Sequence, residues 1–399
     1  MIRNPALRNR DYRRLLGGAA FHQQGMSGEQ VVIGLLVYEA TGTTTWVGVI
    51  LAIYFLPFFV FGLLSGTIAD WIDRRTLLRR LELLTAAVLF VFAASTEPGE
   101  TPIWVIAAFT LFAGSLRALH QPVRSSYAYD LVGQENLVSA MGLLNIGSRS
   151  GQLMGALVGG FVMERFGATA ALACLGSGHL VAFMLFRSLR AAGVAAVAIR
   201  APIRQNIREY LIELATNHLL LSLLAVTALV EIFGFSFATA LPEIATGRLE
   251  IGAEGLGWLQ GMRAFAGIIA GAAFATFGLR KRTGAMYLSI IFMFGVFMTL
   301  VSQPSPLALT LGAIFLLSFT AASCDILAQS MMQLSVANEL RGRAMGIWVL
   351  ALGFGPLGHL ELGAVAGAFG LQSGLLLNGG VLILIAVTTA VLVPRLRQR

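Results

Sequence analysis

Six charged side chains interrupt the long apolar runs of this sequence: Glu29, Arg149, Glu231, Arg263, Asp325 and Glu361. An ionisable group at the centre of a bilayer costs about 2.5–3.5 kcal/mol even on insertion scales, so it is kept for pairing or for moving ions and solutes. Carboxyl groups in a low-dielectric cavity can load and release a proton near neutral pH. That makes Glu29, Glu231 and Asp325 candidates for binding a coupling proton. The alternative is a buried acid paired with Arg149 or Arg263.

His22, Met26 and Glu29 fall at i, i+4 and i+7, flanked by Gln23 and Gln30, so one helix face would be polar and could line a water-filled cavity. Asn145, Arg149 and Gln152 form a second polar stripe, and Arg149 is a candidate for a core ion pair or for contact with an anionic substrate. His22, His179 and His359 could relay protons, or could be packed histidines.

The elements that must hold these groups follow from composition. Of 399 residues, 57% are hydrophobic and 12% charged, and mean hydropathy is +0.78. Soluble domains carry roughly a quarter charged residues. A bilayer crossing takes about 20 apolar residues, so twelve would use roughly 240 and leave short loops. The apolar runs are long and rich in Leu, Ala and Gly, which excludes the alternating ten-residue segments of a β-barrel. The expected fold is all-α, a polytopic membrane protein of twelve transmembrane helices. The spans fall at about 15–39, 46–69, 77–96, 102–122, 137–163, 168–188, 218–242, 254–278, 284–302, 306–331, 342–368 and 371–393.

Basic residues alternate between loops. The N-terminal tail, Arg74 to Arg80, Arg117 and Arg124, Arg187 to Arg208, Arg280 to Arg282, Arg341 and Arg343, and Arg395 to Arg399 hold 24 of the 28. Arg165 and Arg248 lie on the opposite side, and Arg149 and Arg263 lie within spans. The positive-inside rule then puts both termini in the cytoplasm of a bacterium, with the chain multi-pass in the inner membrane. The net charge of +8 is spread over these clusters rather than over one basic face, so nucleic acid is excluded as a partner. The expected partners are the lipid bilayer, a small-molecule substrate and protons, and the chain is expected to act as a monomer. Cys174 and Cys324 fall inside apolar runs and behave as small hydrophobes.

A polar, basic segment at 189–217, with Pro202, Arg204 and Arg208, could carry an amphipathic surface helix through Tyr210, Leu211 and Leu214. It separates an N-terminal six-helix half, 1–188, from a C-terminal half, 218–399. The halves are related: Glu135, Ala140, Met141 and Gly142 recur as Glu339, Ala344, Met345 and Gly346, a shift of 204. Gly155 to Gly167 matches Gly358 to Gly370 at a shift of 203, with Phe166-Gly167 recurring as Phe369-Gly370. The two halves are therefore expected to be pseudo-symmetric.

After the second span the chain reads Gly66-Thr-Ile-Ala-Asp70-Trp-Ile-Asp73-Arg74-Arg75. This segment resembles the signature loop of the major facilitator superfamily (MFS), and with the repeat and the topology the resemblance covers the whole chain. Gly66 would permit close helix approach, and Asp70 could complement the positive N-terminal end of another helix. In the family this motif contacts the eleventh helix and latches the outward-facing state, which implies that role for Gly66, Asp70, Arg74 and Arg75. Trp71 and Asp73 depart from the family's usual arginine and glycine. The second-half counterpart keeps Arg280, Lys281 and Arg282 but has no acid.

The fifth span carries Gly147, Gly151, Gly155, Gly159 and Gly160, a stripe along which backbones can touch. From Gly151 the pattern Gly151, Gly155, Gly159 and Gly160 resembles the fifth-helix motif of antiporters in the superfamily, with Ala156 in place of the usual proline. The segment from Asn338 through Arg343 to Ala344-Met345-Gly346 resembles the loop before helix eleven in bacterial exporters of the enterobactin and macrolide efflux branch. Helices one, four, seven and ten line the family's cavity, and Glu29, Glu231 and Asp325 fall on three of them.

The resemblance thus implies a secondary transporter, with proton-coupled export of a drug, siderophore or metabolite by alternating access. Import, lysolipid movement, or a sensor or assembly role on the same scaffold are the alternatives. Gly353-Phe-Gly355-Pro356-Leu-Gly358 spells a dinucleotide fingerprint, but no strand precedes it, so it reads as a proline-kinked stretch of helix. The sequence contains no zinc-ligand spacing, nucleophile elbow or phosphate loop, so it is not expected to be an enzyme or an ATP-driven pump, nor to need a metal or cofactor.

Overall fold

The computed structural model describes residues 5–71, 73–96, 101–192, 214, 216–277, 283–336, 341–394 and 396. Side chains at 5, 60–71, 122, 134, 135, 137–139, 275, 277 and 341–346 lie outside the description. The described residues form helices and connecting turns, with no strand among them. In chain order the helices are α1 Arg10–Thr41, α2 Thr44–Trp71, α3 Arg74–Ser95, α4 Ile103–Arg187 and α5 His218–Phe233. They continue with α6 Gly252–Phe277, α7 Thr283–Ser302, α8 Leu307–Leu334, α9 Arg341–Leu352, α10 Gly355–Phe369 and α11 Leu371–Leu392. Short helical turns from Phe235–Ala240 to Ile244–Arg248 prolong α5.

Local sequence sets the boundaries. The Asn9 side chain accepts from the backbone N–H groups of Asp11 and Tyr12 and starts α1, and Gly42 ends it in the left-handed region at φ 65°. Asp73 caps α3 by accepting from Thr76 N at 2.7 Å. The 85 residues of α4 are not one rod: Gly133 (φ 69°, ψ 176°) and Gly167 (φ 83°, ψ 173°) break it into segments over 103–132, 134–166 and 168–187. Only glycine reaches such dihedrals at low cost. Gly370, the repeat partner of Gly167, breaks the chain between α10 and α11 at φ 84°, ψ 154°. The repeated Phe-Gly pair is thus a repeated helix break. Between α9 and α10, Pro356 supplies no N–H and the chain departs from the helix at Gly353 and Phe354.

The protein is a multi-pass membrane protein. By length and composition, seven helical segments among the described residues can cross a bilayer: Ile103–Gly133, Ala140–Arg187, His218–Arg248, Thr283–Ser302, Leu307–Leu334, Ile347–Phe369 and Leu371–Leu392. Arg79, Arg80 and Glu82 in α3, and the His22 to Gln30 polar stripe in α1, make those two helices less apolar. Large side chains such as Val91, Trp104, Met184 and Leu384 are exposed along the helices. A soluble protein would cover so many.

The chain divides into two compact units. The first comprises residues 1–42, 60–197 and 242–265, and the second residues 43–59, 198–241 and 266–399. The first unit has a core of Tyr12, Leu15, Leu78, Val123, Tyr127 and Phe186 among others. Its presence corrects the expectation that a span ends near 122 with Arg117 and Arg124 marking its arginine-rich edge. The helix runs on to residue 132 because Val123, Tyr127 and Ala128 are core residues, and both arginines are buried.

Candidate functional site

The most concentrated polar chemistry among the described residues lies inside the first unit. Glu82 on α3 is 1% exposed and is met by three imidazoles. His22 Nδ1 of α1 is 2.7 Å from Glu82 Oε1, and His179 Nδ1 of the third α4 segment is 2.7 Å from Oε2. His120 Nε2 of the first α4 segment lies 2.8 Å from Oε1. The His22 and His120 rings stack at 3.5 Å. All three histidines are buried. Imidazoles from α1 and from two segments of α4 thus converge on one carboxylate of α3.

Sequence reasoning singles out His22 and His179 but misses Glu82 and His120. Glu82 lies in an apolar run within the expected third span, so the rule that finds the six intramembrane charges could have found it. Its nearness to Arg79 and Arg80 disguises it as part of a membrane-edge cluster.

Glu29 is also buried, and its partner is Arg117. Of the two readings of Glu29, a proton carrier or a paired acid, the structure shows a pair, with Arg117 in the place considered for Arg149 or Arg263. The reason is register: Arg117 sits one turn before His120 on the same α4 face, and Glu29 two turns after His22 on α1, so both pairs span one interface. Arg149 Nη1 instead lies 3.4 Å from Gln152 Oε1, and Gln152 Nε2 lies 3.4 Å from Gln23 Oε1. Arg263 Nη1 donates to Gln260 Oε1 at 2.6 Å. Arg149 and Arg263 are near enough within this unit for their like charges to repel.

In the second unit, Glu231 of α5 is buried and feels the charge of Asp325 of α8. His359 shares a 2.9 Å hydrogen bond with Thr239 Oγ1 and stacks on Phe55, which makes it a packed histidine. Glu361 accepts from Asn378 Nδ2 at 3.1 Å, and the same nitrogen lies 3.1 Å from Ser236 Oγ.

The glycine stripe has two faces. A Cβ on Gly151, Gly155 or Gly159 would lie 2.1 Å from Ala20 O, 2.0 Å from Gln24 O or 2.8 Å from Gly28 Cα. These three seat the second α4 segment against α1. Gly160 faces α6 instead, where a Cβ would meet Ala253 O at 2.6 Å. At the end of that contact Glu164 Oε2 accepts from Ala253 N at 2.7 Å, a carboxylate at a helix N-terminus. In the second unit a Cβ on Gly48 of α2 would lie 2.3 Å from His359 O of α10.

Of the signature segment, Gly66 and Asp70 lie in the helical backbone of α2, but their side chains are outside the description. Asp73 caps α3, and Arg75 Nη1 donates to Arg190 O at 3.0 Å. Arg74 donates from Nη1 to both Asp130 oxygens, at 2.7 and 2.8 Å. Nothing in the sequence singles out Asp130. Most of 189–217, Arg280 to Arg282 and the side chains of Arg341 and Arg343 lie outside the described residues.

At the start of α1, burial would raise the Asp11 carboxyl, but the N–H groups of Ala191 and Arg190 and the Arg14 guanidinium outweigh it and hold it below its ordinary value. The folded chain therefore binds this proton less readily than the unfolded chain. The stability it contributes is full above the ordinary carboxylate pKa of about 3.9 and is lost as pH falls through the lower folded value. Thermal unfolding between about pH 5 and 3 should show a steeper loss in the parent chain than in Asp11→Asn.

Comparison with known proteins agrees with this architecture. A model described as transmembrane secretion effector, of the MFS_3 family, matches residues 5–399. A curated relative, the multidrug efflux pump Tap of Mycolicibacterium fortuitum, is 22% identical over 374 residues, covering 91% of this chain and 90% of that one. Among solved structures, a peptide transporter of the POT type in complex with sulfate superposes with a TM-score of 0.78 at 13% identity, covering 98% of this chain and 95% of that one. The nucleoside transporter NupG gives 0.70 at 15% identity, covering 96% of this chain and 98% of that one. At these identities the solved structures establish the fold. These relatives are transporters rather than enzymes, and with the family match along nearly its whole length, the chain belongs to the transmembrane secretion effector family of major facilitator transporters.

Proposed function

We propose that this transporter exports small molecules in exchange for protons, by alternating access in the cytoplasmic membrane of a bacterium. The observation that carries the reading is that buried Glu231 lies within electrostatic reach of Asp325 in the second unit. Two acids near enough to feel each other's charge repel, and a proton taken up by either one relieves that repulsion. Its arrival and departure change the charge of the site by a full unit, which is what a coupling step needs. Export over import is supported by the glycine pattern from Gly151 to Gly160 and by the similarity to an efflux pump. The proximity of Arg149 and Arg263 supports a substrate carrying an anionic group.

In this reading α4 makes three crossings, divided at Gly133 and Gly167, and α9 with α10 make one, for twelve in all. Halves 1–188 and 218–399 are joined by the cytoplasmic segment 189–217, both termini are cytoplasmic, and the monomer is the working unit. Gly66 and Asp70, with Arg74 and Arg75 behind them, latch one of the alternating states.

The test is a substrate panel in inside-out vesicles, with and without an acid interior, for the parent chain, Glu231→Gln and Asp325→Asn. The parent should accumulate substrate only with the gradient, and both variants should lose that accumulation. Gradient-driven accumulation that survives in both variants defeats the coupling assignment. Uptake seen only in right-side-out vesicles would make the chain an importer, movement of lysolipid alone a lipid transporter, and no movement of any solute a sensor or assembly protein.

A further inference from the structure

The three histidines around Glu82 have no part in the coupling scheme above, and their chemistry fits another ligand. We propose that His22, Glu82 and His179, with His120 beside them, form a binding site for a divalent first-row transition ion of the Zn2+ class. Ligand atoms of the first three all lie within 4.8 Å of one another. A tetrahedral ion with bonds of about 2.0–2.2 Å requires ligands roughly 3.3 Å apart. The nitrogen-to-oxygen separations of 2.7, 2.7 and 2.8 Å open to that spacing with small side-chain shifts. Three imidazoles and one carboxylate form a neutral-nitrogen and oxygen set suited to Zn2+, Co2+ or Mn2+ rather than to Ca2+ or Mg2+.

A second observation lies on the outer side of His179. Its Nε2 is buried without a hydrogen-bond partner among the described residues, and so is Gln24 Oε1. Both lie in the seam between α1 and the third α4 segment: a Cβ on Gly25 would lie 2.1 Å from His179 Nε2, and one on Gly178 would lie 2.2 Å from Gln24 Oε1. With Nδ1 donating to Glu82, Nε2 is an acceptor facing another acceptor's surroundings. When Nδ1 instead coordinates an ion, the ring proton moves to Nε2, which becomes a donor on the side of the ring where the Gln24 carbonyl also awaits a partner. Metal-bound histidines almost always donate their second ring N–H to an acceptor, and a rotation of the Gln24 amide would supply one.

The ligands come from α1, α3 and two segments of α4, so the ion would fasten these helices of the first unit into one body. All four residues are at most 4% exposed, which suits a resident ion rather than cargo. Arg124, one turn beyond His120 and buried, acts electrostatically on both Glu82 and His120. Its positive charge opposes a cation and sets the affinity below that of closed zinc sites. The spacing 22, 82, 120 and 179 contains no local motif, so no spacing rule brings the four together from the sequence.

The test uses the full-length, tag-free protein in detergent, stripped with a chelator and then titrated separately with Zn2+ and Co2+. One ion should bind per chain, Co2+ should give the visible bands of a low-coordinate nitrogen and oxygen site, and the unfolding midpoint should rise with Zn2+ and fall back with chelator. Glu82→Gln and His179→Asn should each weaken binding at least about tenfold, while His359→Asn, in the other unit, should leave it unchanged. His22→Asn serves where Glu82→Gln does not fold. No stoichiometric binding by the parent chain, or unchanged affinity in the folded Glu82 or His22 variant, overturns the proposal and leaves a hydrogen-bonded cluster only.

Discussion

Arg117→Met should lower the unfolding free energy of the protein by about 3–5 kcal/mol, one of the largest single-site losses in the chain. Glu29 and Arg117 are both nearly inaccessible, at 1% and 2%, and they pair directly. Removing one partner leaves the other as an uncompensated charge in a low-dielectric interior, and the cost is the desolvation that the pair had offset. Glu29→Gln should cost less, since the amide can still accept from the guanidinium. The double variant Glu29→Leu with Arg117→Met should recover most of the loss, because a hydrophobic pair of similar volume carries no such penalty. Denaturant titration in detergent of the parent, Glu29→Leu, Arg117→Met and the double variant, which together close a double-mutant cycle, measures this directly. A single variant as stable as the parent would mean that the pair is not desolvated as described. Transport separates the roles further: an ion pair that only holds α1 to α4 predicts that the double variant still moves substrate.

Glu29 and Arg117 also mark what the sequence can and cannot reveal. Apolar run length, arginine distribution and the match between Gly167 and Gly370 are legible one residue at a time, because backbone geometry and membrane thickness act locally. The helix breaks at both glycines follow from that match. Pairing is different. Arg117 reads as a topology signal because arginines near a span end normally are one, and only the packing of Val123 and Tyr127 carries the helix onward and draws Arg117 inside. Glu82 and His120 are hidden for the same reason. The partners of Glu82 stand 60 positions away at His22 and 97 away at His179, and no spacing rule bridges four helical segments. Glu231 and Asp325 stand out as separate charges in the sequence, but their juxtaposition does not.

The glycine stripe yields the second large effect. Gly155→Ala should impair folding and transport together, although alanine is the better helix former by about 1 kcal/mol. The added Cβ would fall 2.0 Å from Gln24 O and 2.8 Å from Gln24 Cα, both backbone atoms of α1. Backbone cannot rotate away as a side chain can, so α1 and the second α4 segment must separate, at a cost of about 1–3 kcal/mol or more. The displacement reaches the polar clusters, because Gln24 sits two residues from His22 and Gln152 three residues before Gly155, and Gln152 touches Gln23. Gly142→Ala is the matched control: a Cβ there meets nothing among the described residues within 4 Å, so helix propensity should leave that variant as stable as the parent or slightly more. Thermal unfolding and vesicle transport of both variants decide the matter. If Gly155→Ala folds and transports like Gly142→Ala, the stripe is compositional and α1 is not seated on it. If it folds but no longer transports, the seam between α1 and α4 is needed for the movement itself as well as for its assembly.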